Sequence, residues 1–142
     1  MSYLIDELLG KSNFKNKTIH SDSDLYNEIE HGIKSSAVTK FAKESGLTEE
    51  HISLLIPINR KTLSRRKVSG MLDSKESDRL ILIAKVYAHA LDVFGTKTKV
   101  NQWLNTNNLA LDNRKPFDLL KNSLGCQMLD NLLYRIEYGI YS

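Results

Sequence analysis

The chain has 142 residues, of which 41% are hydrophobic and 26% are charged, with a net charge of +3 at pH 7. This length suits one compact domain or two small ones that share a core, and the mild net charge does not by itself indicate nucleic-acid binding. The single cysteine, Cys126, excludes an internal disulfide bond and is typical of a reducing compartment. Residues 1–11 contain Asp6 and Glu7 and no apolar run of signal-peptide length, so we expect a cytoplasmic protein.

Residues 1–23 contain a short apolar patch followed by a stretch rich in Lys, Asn and Ser, which predicts a helical turn on a flexible amino-terminal arm. Periodic apolar positions and candidate caps then predict four helices, over 24–32, 36–45, 48–56 and 60–69. Thr48 can cap the third of these helices. Pro57 ends the third helix, and Asn59 can cap the fourth.

The segment 74–94 is the most apolar part of the chain, and we expect the other helices to pack around it. Its apolar residues recur at intervals of three and four, as on a helix that is covered on most of its circumference. Only Lys85, His89 and Asp92 are strongly polar within 80–94, and on a helix they share one narrow stripe. These ionisable groups argue against a membrane span, and His89 is expected to be a surface histidine.

Capping signals mark both ends of this central helix, since Asp73 and Glu76 have the spacing of a capping box and Gly95 can end the helix. Three more helices are predicted after it, over 96–105, 116–121 and 124–138. An Asn-rich loop, 106–115, separates the first two of them, and Ser123 is the candidate cap of the last. No segment alternates as a β-strand does, so the fold class is all-α.

Residues 48–70 fit a helix-turn-helix, in which apolar side chains at fixed offsets hold two helices at a steep angle. The predicted core residues of this motif are Ile52, Ile56, Ile58 and Leu63. The second of these helices carries five cations and no acid: Arg60, Lys61, Arg65, Arg66 and Lys67. On an exposed helix this density suits phosphate contacts, and arginine can add bidentate contacts to guanine. A solvated basic face is the alternative, because Pro57 stands where a turn glycine is common and Arg66 where a core residue is usual. The pattern alone leaves both interpretations open.

The ending 135–142 is apolar and aromatic and terminates in a carboxylate. In one interpretation Tyr138, Ile140 and Tyr141 fold back and hold the last helix on the core. In the other, the segment inserts into a partner protein.

The sequence contains no pattern that supports catalysis. Its four histidines lack metal-ligand spacing, Cys126 has no cationic neighbour, and no glycine-rich phosphate loop is present. We therefore expect no enzyme, no catalytic residue, no cofactor and no metal site.

Several motifs of the second half occur together in one known family. They are R-x-T-L-x-R-R at 60–66, ESDRL at 76–80, VFG at 93–95, WL at 103–104 and EYGIYS at 137–142. In this order they resemble the Xre–MbcA–ParS toxin-binding antitoxins, over about two thirds of the chain.

The resemblance implies the antitoxin of a bacterial type II toxin–antitoxin pair, whose usual partner is a RES-domain toxin that depletes NAD. Such an antitoxin forms a homodimer, binds its own operator DNA through the helix-turn-helix, and blocks the toxin's active site with its carboxy-terminal end. The resemblance assigns DNA contacts to Arg60, Lys61, Thr62, Arg65 and Arg66, to which the charge pattern adds Lys67. It assigns toxin contacts to the ending of the chain: Arg135, Glu137, Tyr138, Gly139, Ile140, Tyr141 and Ser142.

The predicted domains are an amino-terminal arm over 1–23, a helix-turn-helix domain over 24–72, and a toxin-binding and dimerisation domain over 73–142. Two residues depart from the family pattern, because Asn107 replaces a proline and Asn113 replaces a glycine. Asparagine tolerates left-handed backbone, so we expect the loop to form. A stand-alone helix-turn-helix regulator, whose carboxy-terminal half only dimerises, is the alternative function.

Overall fold

The computed structural model describes residues 2–15, 19–56 and 58–139, and these residues form nine α-helices, two short 3-10 helices and no β-strand. The α-helices are α1 (Ser2–Leu9), α2 (Asp22–His31), α3 (Ser36–Ser45), α4 (Glu49–Leu55), α5 (Arg60–Ser69), α6 (Ser74–Phe94), α7 (Lys97–Leu104), α8 (Pro116–Leu119) and α9 (Ser123–Glu137). The predicted all-α fold is confirmed. The chain divides into two compact units, Met1–Lys85 and Val86–Ser142, with the boundary inside α6.

The amino-terminal segment is part of the core of the first unit. Helix α1 packs against α3, and Ile5, Leu8 and Leu9 are buried. These three residues are spaced three and four apart, so they share one helix face that a neighbouring helix can cover. The interpretation of this segment as a single turn on a flexible arm is therefore wrong.

The predicted helix-turn-helix is present in the first unit, where α4 contacts both α3 and α5. Its four predicted core residues are all buried: Ile52, Ile56, Ile58 and Leu63. The two predicted caps are confirmed, because Thr48 Oγ1 accepts the His51 N–H at 3.0 Å and Asn59 Oδ1 accepts the Thr62 N–H at 2.8 Å. Pro57, which is predicted to end the helix that corresponds to α4, lies outside the described residues.

Helix α6 begins at the predicted capping box. Glu76 Oε1 accepts the Asp73 N–H at 2.9 Å, and Asp73 Oδ1 accepts the Glu76 N–H at 2.8 Å. Its buried apolar residues confirm that the helix is covered on most of its circumference: Leu80, Ile81, Ile83, Ala84, Val86, Tyr87, Ala88 and Ala90. Across the described parts of the chain, no helix combines the length and hydropathy that a membrane crossing needs.

In the second unit, the Asn-rich loop closes on itself between α7 and α8. The Asn108 N–H donates to the Arg114 carbonyl at 3.0 Å, and the Asn107 side-chain amide donates to the Asn113 carbonyl at 2.9 Å. Asp112 and Asn113 are both left-handed, with φ of 55° and 62°. The expectation that asparagine can replace glycine at 113 is confirmed.

The predicted starts of α2 and α9 are wrong by two residues and one residue. Helix α2 begins at Asp22 instead of Asp24, because Ser21 is the cap and accepts the Asp24 N–H. Helix α9 is capped by Asn122, whose Oδ1 accepts a backbone N–H at 2.7 Å, and Ser123 is already helical. In both cases the cap is a polar residue that lies before the predicted helix start.

Candidate functional site

Three of the predicted DNA-binding residues of α5 are exposed. The side chains of Lys61, Arg65 and Lys67 are exposed, while Thr62 is half-buried and lies 3.4 Å from the Arg65 guanidinium. The Lys67 ammonium forms an ion pair with Glu49 Oε1 at 2.7 Å. Within the described residues, no acid forms an ion pair with Lys61 or Arg65, so both side chains are available to contact a ligand. Arg60 begins the helix, and its side chain lies outside the described part.

Arg66 faces α6 instead of the exposed side of α5. Its Nε donates to Glu76 Oε1 at 3.0 Å, and an Nη nitrogen lies 3.4 Å from Asp73 Oδ2. Glu76 is only 3% exposed, so this contact joins α5 to a buried carboxylate at the start of α6. Arg66 thus positions the helix, and its assignment to DNA stays a prediction.

His89 is buried at 2% exposure in the second unit, and the prediction of a surface histidine is wrong. Its Nδ1 lies 2.7 Å from Asp130 Oδ1, and its Nε2 lies 3.1 Å from Glu137 Oε1. Both carboxylates belong to α9, and the ring of Tyr134 packs on the imidazole with the ring centroids 4.3 Å apart. The polar stripe of α6 is covered here because α9 supplies acids opposite the histidine.

Sequence reasoning missed the partner role of Asp130. Asp130 and Glu137 are seven residues apart, and this spacing places them two turns apart on one face of a helix. Two acids on one face of an otherwise apolar helix are a signal that a cation lies opposite them. Which basic residue contacts these two acids depends on how α9 packs against the other helices of its unit.

The chain leaves α9 with an exposed aromatic pair. Tyr138 is 69% exposed and stacks on Tyr134, with the ring planes 3° apart and the centroids separated by 6.3 Å. Gly139 follows with φ of 70°, a left-handed conformation that favours glycine at a helix end. Arg135 is also exposed. The fold-back interpretation is therefore wrong for Tyr138. Of the other predicted toxin contacts, Glu137 is described and contacts His89, whereas Ile140, Tyr141 and Ser142 lie outside the described residues.

The other buried polar groups of this unit are structural. Burial raises the pKa of Tyr87 to about 12, although its hydrogen bond to Asn101 acts in the opposite direction. The Tyr87 hydroxyl lies 3.1 Å from Asn101 Oδ1 and so links α6 to α7. Within 2–15, 19–56 and 58–139, no group of three His, Cys, Asp or Glu side chains is arranged to hold a metal ion.

Two family models match the chain, one for each unit. Residues 24–85 match the antitoxin Xre-like helix-turn-helix domain, and residues 89–139 match the antitoxin Xre/MbcA/ParS C-terminal toxin-binding domain. A relative named Antitoxin Xre from Photorhabdus laumondii is 30% identical over 116 residues, which are 80% of this chain and 78% of the relative. The chain belongs to the Xre antitoxin family.

Further Xre antitoxins support this assignment. Relatives of that name from Yersinia enterocolitica and Pseudomonas putida are 27% and 28% identical, over 83% and 84% of this chain and 81% and 74% of their own lengths. A chain in the crystal structure of the M. tuberculosis MbcT–MbcA toxin–antitoxin complex has a similar fold, with a TM-score of 0.59 and 25% identity. That similarity covers 76% of this chain and 96% of the other. The family resemblance drawn from the motifs is confirmed.

Proposed function

We propose that this Xre antitoxin neutralises a RES-domain, NAD-depleting toxin by blocking its active site with the segment that follows α9. We further propose that it binds its own operator through α5 as an autorepressing homodimer. The first proposal rests above all on the exposed tyrosine pair at the end of α9. Catalysis by this chain has no part in either proposal, and the roles assigned to 24–72 and 73–142 remain predictions.

The end of α9 has the properties of a preorganised binding segment. Tyr134 and Tyr138 present flat aromatic surface at a helix end, and aromatic side chains supply much contact area at small entropic cost. Because Tyr138 is still held by a helical hydrogen bond to the Tyr134 carbonyl at 3.0 Å, the segment begins from a defined direction. A defined start lowers the ordering cost of binding.

The choice of toxin follows from the motif resemblance and from charge. A pocket shaped for a dinucleotide must present cationic groups to two phosphates. Among the predicted toxin contacts, Glu137 at the end of α9 supplies an anionic side chain for that pocket. The similar chain belongs to a solved toxin–antitoxin complex, which supports a toxin as the partner.

Deletion of 138–142 tests the toxin proposal. We expect neutralisation in toxin-expressing cells to be lost, while thermal unfolding changes little because Tyr138 is exposed. Tyr26→Ala on α2 is the matched control, since that tyrosine is 63% exposed and lies in the other unit. A folded truncation that still rescues cells fully would place neutralisation elsewhere, with the loop 106–115 as the first candidate.

The operator proposal rests on the exposed cations of α5. Among the described residues, no acid forms an ion pair with Lys61 or Arg65, so both can contact phosphates. Arg66 and Lys67 form ion pairs with acids of their own unit. We expect Arg65→Ala to weaken operator binding and to lower the salt slope by about one. Lys121→Ala, which removes one exposed positive charge from the other unit, should leave both unchanged. Equal effects of the two variants would reject α5 as the DNA-binding helix.

The homodimer is proposed because operators that are read by helix-turn-helix proteins are usually two-fold symmetric. Sedimentation at micromolar concentration should then give about twice the chain mass of 16.2 kDa. A stand-alone regulator would also dimerise and bind DNA. Co-purification with the product of a neighbouring gene separates the two functions, because only the antitoxin retains a toxin.

A further inference from the structure

We infer that His89 is a positioning residue for toxin neutralisation: held between Asp130 and Glu137, it fixes the end of α9 from which the toxin-binding segment leaves. The inference rests on the proposed function and deepens it. His89 is 2% exposed and lies on α6, so it cannot itself contact a partner. Any effect of this residue on neutralisation must pass through α9.

The geometry holds α9 at two points. Asp130 lies in the middle of the helix, and Glu137 is its last residue. The distances from the imidazole are 2.7 Å to the Asp130 carboxylate and 3.1 Å to the Glu137 carboxylate. One rigid ring therefore fixes the helix body through one nitrogen and the helix end through the other.

The two carboxylate contacts determine how many hydrogen-bond donors the imidazole must provide. Ionised carboxylates only accept hydrogen bonds, so both contacts form together only when both ring nitrogens carry a hydrogen. The imidazole lies between the two carboxylates, and the ring of Tyr134 packs against it. The arrangement tolerates burial because each ring nitrogen has its own hydrogen-bond partner.

Glu137 lies at a helix end that disfavours an acid. The carboxyl end of a helix carries a partial negative charge, so an acid in the last turn is unfavourable unless a hydrogen-bond donor or a basic group lies against it. His89 is the group that lies against this carboxylate. Without that contact, the last turn of α9 would be expected to fray, as helix ends commonly do.

The last turn in turn sets the direction of the binding segment. Tyr138 donates its N–H to the Tyr134 carbonyl and Gly139 donates its N–H to the Ile136 carbonyl, at 3.0 and 3.2 Å. If this turn loosens, the aromatic pair and the left-handed Gly139 lose their fixed orientation. Toxin binding must then bear the cost of ordering the segment, and affinity falls although the core is intact.

Two substitutions of His89 separate the two contacts. In His89→Gln, the side-chain amide nitrogen takes the place of Nε2 and can still donate to Glu137. In His89→Asn, the amide nitrogen takes the place of Nδ1 and can still donate to Asp130. Both variants lose the imidazole ring and keep one donor, so their thermal stabilities should be similar. We expect the asparagine variant to bind toxin about tenfold more weakly than the glutamine variant.

Equal affinities of the two variants, or weaker binding by His89→Gln, would overturn the inference. If neither variant folds, hydrogen exchange of Glu137→Ala provides the test. We expect the amides of Tyr138 and Gly139 to exchange faster in Glu137→Ala than in Asp130→Ala, which removes the other carboxylate. Unchanged exchange at these two amides would show that the contact does not hold the last turn.

The two failures can be told apart. If deletion of 138–142 leaves neutralisation intact, the proposed function is wrong and the exchange experiment alone decides whether His89 holds α9. If the deletion abolishes neutralisation while the two His89 variants bind toxin equally, only the positioning role of His89 is wrong.

Discussion

Each of the two units holds its candidate functional helix with one basic side chain placed between two carboxylates. In the first unit, Arg66 of α5 contacts Asp73 and Glu76 at the start of α6. The buried member of this cluster is a carboxylate, since the Glu76 side chain is 5% exposed and the Arg66 side chain 35%. The cluster fixes the candidate DNA-binding helix at its carboxyl end.

The second unit inverts this arrangement, because the buried member is the basic group. The His89 side chain is 3% exposed, whereas its partners Asp130 and Glu137 are 41% and 32% exposed. Here the basic group belongs to α6 and the two acids belong to the helix that is held.

The difference between the two clusters shows which ionisable group can be buried at a helix start and which can be buried in the middle of a helix. A carboxylate can be buried at a helix start, where Glu76 also accepts the backbone N–H of Asp73 and the helix dipole favours an anion. An imidazole is compact and can be buried in mid-helix, provided that both nitrogens find acceptors. Arginine, with a long stem and a forked donor group, can stay half-exposed and still contact two acids.

Gly125→Ala should break the second cluster with the largest effect. A Cβ on Gly125 would lie 1.9 Å from the Leu119 carbonyl oxygen, so α9 must move away from α8. The carboxylates that contact His89 would move with it. We expect a loss of about 3 kcal/mol or more in the free energy of unfolding, measured by urea denaturation, together with loss of neutralisation.

Gly95→Ala is the control for that experiment. A Cβ at Gly95 meets nothing within 4 Å, and only its φ of 89° disfavours alanine. The cost there should be about 1 kcal/mol. If the two variants lose equal stability, the close approach of α8 and α9 does not determine where α9 lies.

Glu76→Ala should break the first cluster with an intermediate effect. It removes the buried acceptor of Arg66 and leaves the Asp73 N–H without its side-chain partner. We expect a loss of about 2 kcal/mol in urea denaturation, together with weaker operator binding because α5 is no longer anchored. Asp78→Ala removes an exposed acid from the same helix and should cost less than about 0.5 kcal/mol. Comparable losses in the two variants would mean that the cluster does not stabilise the unit.

Asp6→Asn should have the smallest effect. Asp6 is a buried acid, and no cation among the described residues forms an ion pair with it. One of its carboxylate oxygens has no hydrogen-bond partner among the described residues. Burial raises the pKa of Asp6 above the ordinary value of 3.8, and Lys11 and His20 offset only part of this.

The raised pKa determines the sign of the pH dependence. The folded state binds the proton more tightly than the unfolded state, so this stabilisation is present below pH 3.8 and is lost as pH rises through the folded pKa. Asp6→Asn cannot ionise and keeps its stability. In urea denaturation at a series of pH values, the free energy of unfolding of the variant should therefore rise relative to that of the wild type from about pH 3.8 upward. A difference that is constant across pH would contradict this account.

Helix boundaries were predictable where caps are unambiguous. The predicted ranges 36–45, 60–69 and 74–94 are those of α3, α5 and α6. Each ends before a glycine, and Asn59 and the Asp73–Glu76 pair mark the starts of the last two with side-chain acceptors at a fixed offset. Where neighbouring polar residues compete for the cap, as at Asn122 and Ser123, the sequence left the start open to error.

The sequence by itself determined the all-α class, the helix-turn-helix core and the family, because these depend on local periodicity, caps and motifs along the chain. Tertiary structure decided which charges are available to partners. His89 looked like a surface residue from its position in the sequence, and Arg66 was assigned to DNA although it stands where a core residue is usual. Packing placed Glu76 against Arg66 and Asp130 against His89, and these contacts join residues 10 and 41 positions apart. The free energy of a charge depends on what lies within a few ångströms of it, and for these residues only the folded chain sets those neighbours.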